Sequence, residues 1–172
     1  MGCCPVMRKN DFNRARVLVA IAFTMLAPSA NADILTGYVV GITDGDTLTL
    51  LVERQQYKIR IAGIDAPERL QARGDRSKTN LSRLAFDQPA VADCPKVDRW
   101  GWKICKVTVN AVDIGLEQVK DGMAWWYRKY SKEQTAEDQS AYEHAELMAK
   151  LKRLGLWGDT NPVPPWDFRR EK

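Results

Sequence analysis

Apolar and polar positions alternate along the first half of the chain in a way that predicts strands, and they recur at helical spacing along the second half. Leu35 to Thr43 carries Tyr38, Val39, Val40 and Ile42, the β-branched and aromatic content of a strand. Asp44-Gly45 then signals a hairpin turn, and Thr47 to Val52 runs back. The polar stretch Glu53-Arg54-Gln55-Gln56 predicts a second turn before a third strand, Tyr57 to Ile64. In that strand Ile59 and Ile61 share one face, while Lys58 and Arg60 share the other. Arg60 is therefore aimed away from the apolar side, into whatever cleft the sheet curves around. Leu81, Leu84 and Ala85 predict a helix over Ser77 to Phe86. Strand-like Val91-Ala92-Asp93 and Ile104 to Val109 flank a turn-like Asp98-Arg99-Trp100-Gly101. A short helix is expected over Val112 to Asp121, stopped by Gly122, and a longer one from Thr135 through Leu154 to Gly155. Its start, Thr135-Ala136-Glu137-Asp138, is a capping box with Asp in place of Glu. Asn161 to Trp166 reads as an extended, proline-stiffened tail. Three strands, a helix, two strands and further helices predict an α+β fold, a five-stranded OB-type barrel with three packed helices. Such barrels commonly bind oligonucleotides on one face.

The N-terminus stands apart from this pattern. Arg8, Lys9, Arg14 and Arg16 precede an apolar run from Val17 to Ala27, followed by Ala30-Asn31-Ala32. A basic start, a short apolar segment and small residues at a cleavage point make a secretory signal peptide, and the run is too short to span a bilayer. The chain thus divides into a leader over 1–32, one domain over 33–160 and a tail over 161–172. The leader holds four of the 26 basic residues and one of the 22 acidic ones, so the remainder carries a net charge of only about +1. Global charge is weak evidence for nucleic acid, and the arrangement of charges must carry that argument. The expected product is exported, periplasmic or secreted, monomeric, and without stable membrane association after cleavage.

Removing the leader leaves two of the four cysteines, Cys94 and Cys105. If Asp98 and Gly101 face each other across the hairpin, these two cysteines also fall opposite one another. Opposed Cβ atoms lie about 4.5–5.5 Å apart, within reach of a disulfide after local twisting. Export favours that bond. His144 is the only histidine, so a zinc site and histidine-based hydrolysis are not expected.

The chemistry concentrates in Asp44-Gly45-Asp46-Thr47, Arg60 and Asp65-Ala66-Pro67-Glu68. Two carboxylates, one arginine and one further glutamate can hold a hard cation, activate a water and neutralise a phosphate. Asp44 is equally readable as a polar turn residue. These three segments at these intervals resemble the staphylococcal nuclease-like domains, over a stretch from about Gly37 to Trp157. The resemblance implies a Ca2+ ion bound by Asp46, Asp65 and the backbone carbonyl of Ala66. It makes Glu68 the general base, a role that a metal-bound hydroxide could share, and Arg60 the residue neutralising the phosphate in the transition state. It also puts a second phosphate-clamping arginine where this chain has Trp102, which supplies neither charge nor paired donors. Lys103 and Arg99 are the nearby cations, with Lys103 expected on the opposite strand face. Trp100, Arg128 and Tyr130 match the positions that stack on or contact the nucleotide, and only Tyr130 keeps the residue type there. Together with Trp102 and Lys103 they form the expected substrate surface, whereas Trp125 and Trp126 are expected in the core. The implied activity is a Ca2+-dependent nuclease with little sequence preference. It would act on single-stranded DNA, frayed duplex or RNA and leave 3′-phosphates. The rival is a catalytically weakened nucleic-acid-binding module, motivated by Trp102.

Overall fold

Strand alternation in residues 33–61 produces a three-stranded meander in the computed structural model, which describes residues 1–2 and 33–171. Apart from its first two residues, the leader expected over 1–32 lies outside the described residues. The meander consists of β1 (Asp33–Ile42), β2 (Thr47–Val52) and β3 (Gln55–Ile61), all antiparallel. Leu48, Leu50 and Ile59 point inward and are fully buried. The turn between β2 and β3 is shorter than the sequence suggested. Gln55 and Gln56 already pair with Val52 and Leu51, because Glu53 takes a left-handed φ of 55° and reverses the chain within two residues.

The second half of the barrel is the cysteine hairpin, β5 (Pro89–Val97) and β6 (Lys103–Val109). β5 pairs with β1, and β6 runs parallel to β3 through Arg60 opposite Ile104, which closes five strands into a barrel. The hairpin register puts Asp93 opposite Lys106 and then slips by one residue before Lys96 meets Ile104. Cys94 and Cys105 are joined at that irregularity by a disulfide, with Cα atoms 4.1 Å apart. A loop of this size constrains the unfolded chain by about 2–3 kcal/mol in the chain-entropy account.

Helices cover the barrel ends. α1 (Gly74–Ala85) begins three residues earlier than its apolar spacing indicated, after Arg73 in a left-handed conformation. Its Leu81 is fully buried, and truncating such a side chain to alanine costs about 2–5 kcal/mol. Val112–Asp113, expected in a helix, instead form a short strand, β7, against β6. α2 (Ile114–Lys120) starts only after Asp113, whose carboxylate accepts the Gly115 and Leu116 amides as an N-cap. α3 (Ala136–Leu151) is capped by Thr135 accepting the Asp138 N–H. It ends before Leu154, because Arg153 takes a left-handed φ of 52°. A two-stranded ribbon of β4 (Ile64–Asp65) and β8 (Trp125–Trp126) links barrel to helices. The tail read as extended contains one short helix, α4 (Pro165–Phe168), that packs back on this ribbon. No helix among the described residues is long and apolar enough to cross a membrane.

Candidate active site

Local sequence fixes the acidic turn between β1 and β2. Asp44 accepts the Asp46 N–H at 3.2 Å, the short-range bond that makes Asp-Gly-Asp a turn former. Gly45 is required sterically: a Cβ there would lie 1.8 Å from Ser77 Oγ on α1. The Gln118 side chain, fully buried on α2, donates to the Gly45 carbonyl at 2.6 Å and pins the turn from below.

The turn delivers Asp46 to a cleft in which it is only 5% exposed. Thr47 Oγ1 donates to its Oδ1 and the Ala66 N–H donates to its Oδ2, each at 2.9 Å. Asp65, on β4, is fully buried. Arg60 projects from β3 between the two carboxylates, 3.3 Å from Asp65 Oδ1 and 3.8 Å from Asp46 Oδ2. Strand alternation therefore aims Arg60 as the sequence indicated, with Ile59 and Ile61 turned into the core. The Asp46 carboxylate first, against the cost of burial and with help from Asp65, holds the Arg60 guanidinium above its ordinary range. Burial raises Asp65 above the usual carboxylate range despite the hydrogen bonds it receives from arginine. Burial and the nearby Asp46 charge push Asp44 up to about 6.

Glu68 stands at the lip, half-exposed. Its N–H donates to Gln71 Oε1, which orders the segment after Pro67. The cleft has a volume of about 400 Å3, and Asp46, Arg60, Ala66, Glu68, Trp100 and Trp102 are among the residues that line it. The Asp98 carboxylate shapes the tryptophan loop by accepting the Trp100 and Trp102 amides at 2.9 Å. The two indole rings lie 6.4 Å apart and tilted, with Arg99 over Trp100 and Lys58 over Trp102.

Three expected substrate contacts are placed elsewhere. Lys103 is turned to the other face of β6, donating to Asp33 and lying over the Tyr57 ring. Arg128 bonds Glu146 and covers the Trp126 ring, and Tyr130 packs edge-on against Tyr127 beneath Lys96. None of the three lines the cleft. Trp125 and Trp126 are buried, as expected.

The residue that sequence reasoning missed is Arg169. Its Nη2 donates to Asp65 Oδ2 at 2.6 Å, and its Nη1 reaches Glu68 Oε1 at 2.7 Å and Asp65 Oδ1 at 3.2 Å. The available signal was a proline at a helix start followed by Trp166, a large apolar anchor just ahead of the basic end of the tail.

Asp46 and Asp65 meet at the Arg60 guanidinium, and with the Ala66 carbonyl that the resemblance adds they would make an all-oxygen donor set, which fits a hard divalent cation better than a soft one. Among the described residues the only charged partners of the buried Asp46 and Asp65 carboxylates are guanidinium groups, so the pair also carries charge that such an ion would neutralise. A cation on Asp65 would take over oxygens now bonded to Arg169.

Comparison with known proteins agrees with this geometry. The family model described as staphylococcal nuclease homologue matches residues 58–159, which takes in Arg60, Asp65 and Glu68. A micrococcal nuclease from Shigella flexneri is 38% identical over 171 residues, spanning 94% of this chain and 95% of the relative. Protein ParB from Escherichia coli is 35% identical, spanning 96% of each chain. An uncharacterized endonuclease from Haemophilus influenzae is 37% identical, spanning 93% of this chain and 88% of its own length.

Proposed function

The chain belongs to the staphylococcal nuclease family and is a hydrolytic endonuclease, and from that premise we propose that its cleft cleaves DNA, and RNA as well, in a Ca2+-dependent reaction with little sequence preference. The observation that carries the reading is Arg60 held between Asp46 and Asp65, with Glu68 lining the same cleft.

Asp46, Asp65 and the Ala66 carbonyl would hold the cation, which supplies positive charge at a phosphoryl oxygen and lowers the pKa of a coordinated water. Glu68 sits where a carboxylate can accept the proton of the attacking water. Arg60 presents paired N–H donors to the phosphate, and its charge counters the negativity that grows on the phosphoryl oxygens during attack. Removing one such donor from a preorganised site typically costs about 100- to 1000-fold in rate. Trp100, more than half exposed, and Trp102 offer π-faces on which bases of a single strand or frayed end stack regardless of identity. Contacts of this kind read backbone and ring faces rather than base edges, hence the low specificity.

A second reading has one observation in its favour. Trp102 occupies the cleft wall where the family resemblance puts a guanidinium, which would leave a nucleic-acid-binding module with weak hydrolysis. On the first reading, Glu68→Gln removes the base at near-constant shape. Cleavage of a labelled single-stranded oligonucleotide by the purified variant should fall at least 100-fold while the oligonucleotide still binds. Unchanged cleavage would refute the assignment of Glu68. The basic, apolar leader supports export to the periplasm or medium, with action there as a monomer.

A further inference from the structure

We propose that Arg169, delivered by the C-terminal segment, is a phosphate-binding residue of this cleft, one that leaves Asp65 when a cation binds there and then holds the scissile phosphate beside Arg60. The inference rests on reading the cleft as a phosphodiesterase site, and it adds a residue outside the stretch matched by the family model.

Position is the first argument. Among the described residues, Arg60 and Arg169 are the two cations paired with carboxylates of the cleft. Lys103 is tied to Asp33 on another face, and Arg99 lies 4.0 Å over the Trp100 ring. Arg169 touches both a ligand candidate, Asp65, and the base candidate, Glu68, so a phosphate placed between them lies within reach of its guanidinium.

Charge is the second. Asp44, Asp46, Asp65 and Glu68 contribute four negative charges, and Arg60 and Arg169 return two. A divalent cation brings the set to neutrality. A phosphodiester then adds one negative charge, and attack on phosphorus adds another. Without Arg169 the cation-loaded cleft would already be negative before a polyanion arrived. With Arg169 it is neutral, and a guanidinium freed from Asp65 carries two parallel N–H donors suited to a phosphate.

Anchoring is the third. The segment does not depend on Arg169 for its place. Trp166 stacks on Tyr127 at 5.4 Å and 22° and meets Trp125 edge-on, Pro165 is buried, and Gln71 donates to the Val163 carbonyl. Arg73 pairs with Asp159 just upstream. The backbone is thus fixed while the Arg169 side chain stays 39% exposed, free to exchange one anion for another.

The test compares the whole protein with Arg169→Ala, Arg169→Lys and, as a control on the same segment, Arg170→Ala. Among the described residues Arg170 pairs only with Asp167, and it is exposed. Three quantities are read: Ca2+ affinity by calorimetry, affinity for a cleavage-resistant phosphorothioate single strand in saturating Ca2+, and the single-turnover rate on the normal oligonucleotide. Arg169→Ala should weaken the phosphorothioate complex about tenfold and slow cleavage at least 30-fold, without weakening Ca2+ binding. Arg169→Lys should fall between, and Arg170→Ala should match the wild type. Oligonucleotide affinity unchanged in Arg169→Ala would overturn the proposal. So would faster cleavage with tighter Ca2+ binding, the result expected of a guanidinium that only plugs the cation site. A wild type that cleaves nothing with any cation would defeat the nuclease reading itself, while the binding comparison would still judge Arg169.

Discussion

The Ala66 N–H donates to Asp46 Oδ2 at 2.9 Å, a bond between residues 20 positions apart that fastens the β1–β2 turn to the segment carrying Asp65 and Glu68. Because of it, the carboxylates arrive already oriented, and each cation or phosphate that enters meets groups whose ordering cost has been met during folding. Arg60 completes the link from the strand beside the turn.

The Arg60 contact gives the first prediction. Arg60→Lys keeps a positive charge but cannot present two parallel donors to a phosphate. Turnover on single-stranded DNA should drop about 100-fold with little change in melting temperature. A rate within threefold of wild type would show that charge alone suffices at this position.

Trp102→Arg puts a guanidinium into the cleft that Glu68 also lines. If Arg169 already supplies the second phosphate contact, the gain in the wild-type background should be small, under tenfold or about 1.4 kcal/mol. The nearby Lys58 charge, 5.9 Å from the Trp102 ring, works against any larger gain. In the Arg169→Ala background the same change should recover most of the lost rate. Equal gains in both backgrounds would show that the two positions act independently.

Glu146 predicts a pH dependence of stability. It is buried beneath β8, accepts the Trp126 N–H, and is bonded by Arg128 and Lys150. Burial pulls its pKa upward, but the hydrogen bonds from Lys150 and Arg128 win, and the group is held below the ordinary carboxylate range. A carboxyl whose folded pKa is depressed adds stability above its unfolded pKa and loses it as pH falls through the folded one. Glu146→Gln should therefore lower the denaturation midpoint at pH 7 and leave a flatter profile from pH 5 down to pH 3 than the wild type has. Parallel profiles would rule this contribution out.

The amino-acid pattern reveals the barrel and the central site because both are built from local signals. Alternation in Lys58 to Ile61 gives the face of Arg60, and turn chemistry gives the placement of Asp46. The 98–101 opposition leads to the Cys94–Cys105 bond only in part: Val97 pairs with Lys103, a register that alone would set Cys94 opposite Lys106, and the slip between Asp93 and Lys96 brings the two cysteines together. What stayed hidden depends on contacts that no local period encodes. Arg169 reaches Asp65 across 104 positions from a four-residue helix too short to show a helical repeat. Arg128 matches a substrate position by spacing, yet it pairs with Glu146, and Lys103, expected on the same surface as a nearby cation, pairs with Asp33. The expected helix reaches back to Val112, but the open edge of β6 takes Val112-Asp113 as a strand.

The central claim is that Asp46 and Asp65 hold a cation without which the cleft cannot hydrolyse a phosphodiester. The direct measurement is the cleavage rate of a single-stranded oligonucleotide by purified protein as free Ca2+ is titrated from chelator-buffered solution, with Mg2+ in parallel. The account predicts no cleavage in chelator, saturable recovery with Ca2+, and weaker support from Mg2+, which demands near-ideal octahedral geometry and gives up its waters reluctantly. Full cleavage in excess chelator would contradict it.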